Sequence, residues 1–157
     1  MRLRLLGRTI VGALITAAAA IASAEDAKDA AIQKDREQIK GTWRVVVLVA
    51  NGNMALENDA RKLTVANGSD GTWSLYSEGK EVTKGTSTFD PTKSPRTLDF
   101  TPTVGDDAGK QFLGIYELGE NTRKMCFAPL EKGRPTDFTS SPGSEIICVT
   151  FERVKTP

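Results

Sequence analysis

The chain has 157 residues, 21 Lys plus Arg against 20 Asp plus Glu, and no histidine. The length allows one domain, and a net charge of +1 argues against a nucleic-acid binder, which carries a basic excess or stripe. Without histidine there is no Ser-His-Asp or Cys-His catalytic pair and no His-containing zinc site, and two cysteines are too few for a structural zinc or an iron–sulfur cluster. No cofactor is expected, and the chain reads as a binding protein, not an enzyme.

Arg2, Arg4 and Arg8 precede an apolar run over residues 10–22, and Ala22-Ser23-Ala24 is a small-x-small cleavage site. This is the layout of a secretory signal peptide over residues 1–24. The run is shorter than the roughly 20 apolar residues that a bilayer-spanning helix needs. No transmembrane segment is expected in the mature chain. No twin-arginine pair precedes the run, which points to general secretion. Cleavage removes three arginines and no acid, so the net charge of +1 becomes −2. The expected location is periplasmic or extracellular, where two cysteines are more often paired than free.

Residues 25–40 are rich in Ala, Lys and Asp, with Ile32 and Ile39 as their large apolar side chains. They read as a tether that becomes a short helix. From Gly41 the texture changes. Residues 43–49 are β-branched and long enough for a strand, which Asn51-Gly52-Asn53 ends. Residues 56–61 read as one helical turn. Strands follow at residues 62–66, 72–77, 81–90, 96–101, 111–118, 122–128 and 145–154. A loop over residues 129–144 holds three prolines and two glycines. No long helix separates any pair of strands, which excludes βαβ units. Eight sequential antiparallel strands close best into an up-and-down barrel, which removes the exposed edges. The expected fold class is all-β: an eight-stranded antiparallel barrel over residues 41–155 with a short N-terminal helix. An open sandwich is the alternative.

Alternation assigns faces to several strands. Leu98 and Phe100 share one side of theirs and leave Asp99 on the other. Met125 and Phe127 oppose Lys124, Cys126 and Ala128, while Ile147, Val149 and Phe151 oppose Ile146, Cys148 and Thr150. With the more apolar faces inward, Cys126 and Cys148 both point outward from neighbouring strands. Opposed residues there come within about 4.5–5.5 Å, inside disulfide reach. A Cys126–Cys148 disulfide pinning the long loop is the expectation, and two unpaired thiols packed as small apolar groups are the alternative. The strand bearing Glu117 is apolar on both faces, so alternation does not orient that carboxylate. Asp99, Glu117 and Asp137 are the carboxylates to watch for acid–base work.

Gly105-Asp106-Asp107-Ala108-Gly109-Lys110-Gln111 is one residue short of a phosphate-binding loop and has Gln111 where Ser or Thr is required. It reads as a solvated turn. The same Asp pair lacks EF-hand spacing, and no metal site is expected. The aromatic residues spread over the strands read mostly as core. Trp73, Phe100, Phe112 and Tyr116 are the candidate lining for a small apolar ligand, with Tyr116 as the polar handle.

Gly41-Thr42-Trp43 opens the first long strand after the helical lead-in, a placement of G-x-W that resembles a lipocalin. Gly114-Ile115-Tyr116-Glu117-Leu118, Lys124-Met125-Cys126-Phe127-Ala128, Arg134-Pro135-Thr136-Asp137-Phe138 and Pro142-Gly143-Ser144 extend the likeness. Together these segments resemble a small lipocalin-like domain family of unknown function, abundant in planctomycete-type bacteria. The resemblance spans residues 39–153 and implies a lipocalin-like barrel in an exported or envelope setting. It implies structural roles for Trp43 and Arg153. In lipocalins an Arg late on the last strand lies across the Trp face and plugs one end, a cation–π contact worth about 0.5–2 kcal/mol. It brings no catalytic residues. The expected function is binding of a small apolar or amphipathic molecule in the barrel of a monomer. The alternative is an envelope protein-interaction module or inhibitor acting through the N-terminal segment or the 129–144 loop.

Overall fold

The computed structural model describes residues 12–157, and for residues 12–20 and 22 the backbone alone. Arg2, Arg4 and Arg8 of the expected signal peptide lie outside the described residues. Helix α1 runs Gly12–Ile39. It starts well before residue 25, so the segment expected to begin as a tether is helical throughout. Alanine, the strongest helix former, recurs along it. Among the described residues no helix is long and apolar enough to cross a membrane.

The strands are β1 Gly41–Ala50, β2 Asn53–Met54, β3 Leu63–Asn67, β4 Thr72–Ser77, β5 Lys80–Asp90, β6 Arg96–Pro102, β7 Phe112–Leu118, β8 Thr122–Pro129 and β9 Ile147–Arg153. A single turn, α2 Glu57–Ala60, separates β2 from β3. Sequential antiparallel pairing runs from β3 through β9, β1 pairs with β3, and β1 also pairs with β9. The eight long strands therefore form a closed antiparallel up-and-down barrel. Closure leaves no ladder of unpaired edge groups.

Most strand boundaries shift by one or two residues from the sequence expectation, and two of the differences have a local backbone cause. The Asn51-Gly52 stop is a hairpin, because both residues take positive φ (50° and 79°) and fold Asn53 and Met54 back onto β1. β9 starts at Ile147, two residues late, because Glu145 is left-handed (φ 55°) and interrupts the extended run.

A bulge between Val45 and Val47 lets β1 turn Trp43, Val45 and then Leu48 inward. Trp43 is fully buried with Val45, Ala60, Val149 and Phe151. Gly85 sits opposite Trp73, where a Cβ would stand 2.7 Å from the indole Cζ2. The missing side chain makes room for the ring.

The C-terminal turns of α1 close one end of the barrel. Their last carbonyls have no intrahelical partners, and the barrel supplies donors. Trp43 Nε1 donates to Ile39 O (2.7 Å), and Arg153 donates to Lys40 O (2.9 Å) and to Gln38 O. Helical spacing sets Ile32, Asp35 and Ile39 on one face. Asp35 is 4% exposed, accepts the Tyr116 hydroxyl at 2.6 Å and pairs with Arg96 at 3.3 Å. Asp35→Ala would leave that buried hydroxyl without an acceptor and is expected to cost about 1–3 kcal/mol. Asp35→Asn keeps an acceptor and should lose less; urea unfolding of the two variants checks the order.

Cys126 and Cys148 face each other across β8 and β9 and are joined by a disulfide, with Cα atoms 4.1 Å apart. The following loop folds back over the outer face of the barrel. Arg134 Nη1 donates to Gly114 O (2.7 Å) and Leu98 O (3.1 Å) and stands 2.7 Å from Asp99 Oδ1. Ser140 Oγ accepts from Gly52 N (2.9 Å) and donates to Ile146 O (2.6 Å). Outward-facing Ile115, Cys126 and Ala128 are accordingly buried.

Candidate functional site

Inward side chains of all eight barrel strands enclose a cavity of about 320 Å³. It reaches from Ile39 and Tyr116 at the helix end to Asp107 in the β6–β7 loop at the other. Small-molecule sites occupy roughly 300–1,000 Å³, so this one suits a compact or slender ligand. The wall is almost entirely apolar.

Aromatic residues organise one side of that wall. Phe100 stacks on Phe112 at 5.0 Å between centroids, and it meets Phe127 (4.9 Å) and Trp73 (5.7 Å) edge-on. Each aromatic sits on a different strand, and pairing registers such as Phe100 opposite Phe112 bring the rings together. Trp73, Phe100, Phe112 and Tyr116, the four residues singled out from sequence, all line the cavity.

Tyr116, the expected polar handle, already has a partner within the protein. Its hydroxyl is committed to Asp35. Burial, and then the Asp35 carboxylate it donates to, push its pKa far above the ordinary phenolic value, so it stays a neutral donor. The three candidate carboxylates are not brought together. Asp99 pairs with Arg134 on the outer face. Glu117 is exposed and lies 3.5 Å from Lys124. Asp137 accepts Thr139 N (3.1 Å) within the loop. Among the described residues no three metal-ligating side chains converge.

Arg153 lies over the Trp43 ring, with Cζ 4.2 Å from its centroid. A second arginine, which the sequence reading did not single out, stands on the other side of this corner. Arg123 is 6% exposed and lines the cavity. Its guanidinium carbon lies 4.3 Å from the Phe151 centroid and 5.2 Å from that of Trp43. Its Nε has no hydrogen-bond partner, and among the described residues no carboxylate stands within ion-pair reach. Burial, with the like charge of Arg153 nearby, pushes its pKa down to about 9. Two further buried donors face inward without partners, Asn67 Nδ2 and Trp73 Nε1, opposite each other across β3 and β4.

The end of the barrel away from α1 has a different surface. Met54, Leu56, Val82, Val104 and Leu130 are exposed apolar residues. By strand register all lie on the segments around that end. Three lysines there are paired, Lys62 with Asp59 at 2.9 Å, Lys110 with Asp107 at 2.8 Å and Lys132 with Glu145 at 3.1 Å, whereas Lys80 at the start of β5 is exposed and has no ion pair among the described residues.

No protein-family model, no curated protein and no solved structure matches the chain.

Proposed function

We propose that the protein is an exported, lipocalin-like binder of a small apolar or amphipathic molecule, which it holds inside the barrel. The cavity carries this reading. An eight-stranded barrel can be filled by its own side chains or can hold one small ligand, and this one keeps about 320 Å³ free behind an apolar wall. The exposed apolar residues around the end opposite α1 offer an approach for such a ligand. The position of Arg153 across Trp43 supports the likeness to the small lipocalin-like family. The disulfide supports an oxidising compartment, and thus export.

Native mass spectrometry tests the reading. The full chain is secreted to a bacterial periplasm and purified without reductant or detergent. The expected species begins at Glu25 and carries a small-molecule adduct. A bare protein that also takes up nothing from a lipid extract overturns the ligand reading. It would favour the apolar rim at Met54, Leu56 and Val104 as a surface for an envelope protein. A species that retains residues 1–24 overturns the export reading.

A further inference from the structure

We propose that the ligand is an organic anion, a single carboxylate on an unbranched apolar chain, bound head-inward with its carboxylate on Arg123. This deepens the ligand-binding reading above and rests on it.

Arginine is almost never fully buried without a partner. A buried charge is costly unless it is paired and hydrogen-bonded. Of the other arginines at the closed end, Arg96 has Asp35 and Arg153 has the carbonyls of Gln38 and Lys40, while Arg36, whose Nε also lacks a partner, does not line the cavity. Arg123 has two aromatic faces and an unpartnered Nε. Aromatic rings stabilise a cation but accept none of its directional N–H donors in plane, and the guanidinium fork matches a carboxylate. Because Arg123 lines the cavity, an anion arriving through the barrel would meet these donors.

The rest of the site sets orientation and shape. At the far end Lys62, Lys110 and Lys132 are each paired with a carboxylate of the chain, and the unpaired Lys80 is exposed to solvent, where a charge pair is worth little, so a ligand anion gains less there than on a buried guanidinium. Along β8, Arg123, Met125 and Phe127 point inward in turn. Four residues of strand separate Arg123 from Phe127, about 13 Å at the usual rise. An extended acyl chain of medium length spans that distance alongside Met125 and Phe127. The modest cavity volume favours one slender chain over a branched or two-chain lipid.

Isothermal titration of the full-chain protein with decanoate and with decanol separates the two levels of the argument. Decanoate is expected to bind at least about tenfold more tightly than decanol, since a charge-assisted hydrogen bond is worth that much. Arg123→Met should erase the preference for decanoate over decanol, and Arg123→Lys should restore part of it. Equal affinities for decanoate and decanol in the wild type overturn the anion inference and leave the apolar cavity reading standing. Failure of both probes to bind overturns both. The two wild-type titrations decide the matter even where a variant folds poorly.

Discussion

Replacing both cysteines, as Cys126→Ala/Cys148→Ala, is expected to lower the unfolding free energy by about 3 kcal/mol, the loop-closure value for residues 22 apart. Domains of this size are stable by only about 5–15 kcal/mol, so this is a large share. About a fifth of the residues after Ala24 are Leu, Ile, Val or Phe, a thin core by globular standards. The barrel has also left part of its interior open, so fewer dispersion contacts are available to compensate. The fold itself should persist in the variant. β8 still pairs with β9 over six residue pairs, β9 still closes onto β1, and Arg134 and Ser140 still tie the loop to the barrel wall. The expected result is a lower guanidinium midpoint with an unchanged far-UV spectrum. A loss under about 1 kcal/mol would mean that the Arg134 and Ser140 anchors already restrict the loop.

The barrel was legible because its signal is local. Each strand is short and β-branched, and each turn carries Gly, Asn or Asp, so strand order needed no long-range information. Alternation also placed both cysteines outward, and the disulfide followed from pairing neighbouring strands. The same alternation, carried one step back along β8 from Phe127 and Met125, puts Arg123 on the inner face. A charged residue at the start of a strand reads by habit as solvent-facing, and that habit hid the most unusual side chain in the barrel. Asp35 was hidden for a different reason. Its partner Tyr116 lies 81 residues away, and no local pattern shows that the end of a helix will dock into a barrel end. The outer face of β7 was ambiguous because it is not solvent-facing. The returning loop covers Ile115, so that strand is apolar on both sides.

Arg123→Met is expected to make the ligand-free protein more stable, not less, by roughly 1–4 kcal/mol, as when buried charges are replaced by apolar side chains of similar size. Methionine can follow the arginine stem against Trp43 and Phe151, and it brings no desolvated charge. Two cation–π contacts are lost at about 0.5–2 kcal/mol each. Against them stands the burial that pushes the guanidinium pKa down to about 9. The sign of the pH effect follows. Around pH 9 the folded protein releases the Arg123 proton while the unfolded chain still holds it, so wild-type stability gains relative to the variant as pH rises. The gap between the two proteins should therefore narrow from pH 8 to pH 10, with other titrating groups cancelling in the difference. Decanoate should narrow it further at neutral pH, because a ligand that pairs with Arg123 binds wild type more tightly and so stabilises it more than the variant. Thermal unfolding of both proteins, with and without decanoate, gives these comparisons. A variant that is less stable than wild type by more than about 1 kcal/mol would make Arg123 a structural bracket between Trp43 and Phe151. A variant that is more stable when empty, and overtaken by wild type when decanoate is added, identifies a buried charge retained for its ligand at the expense of stability.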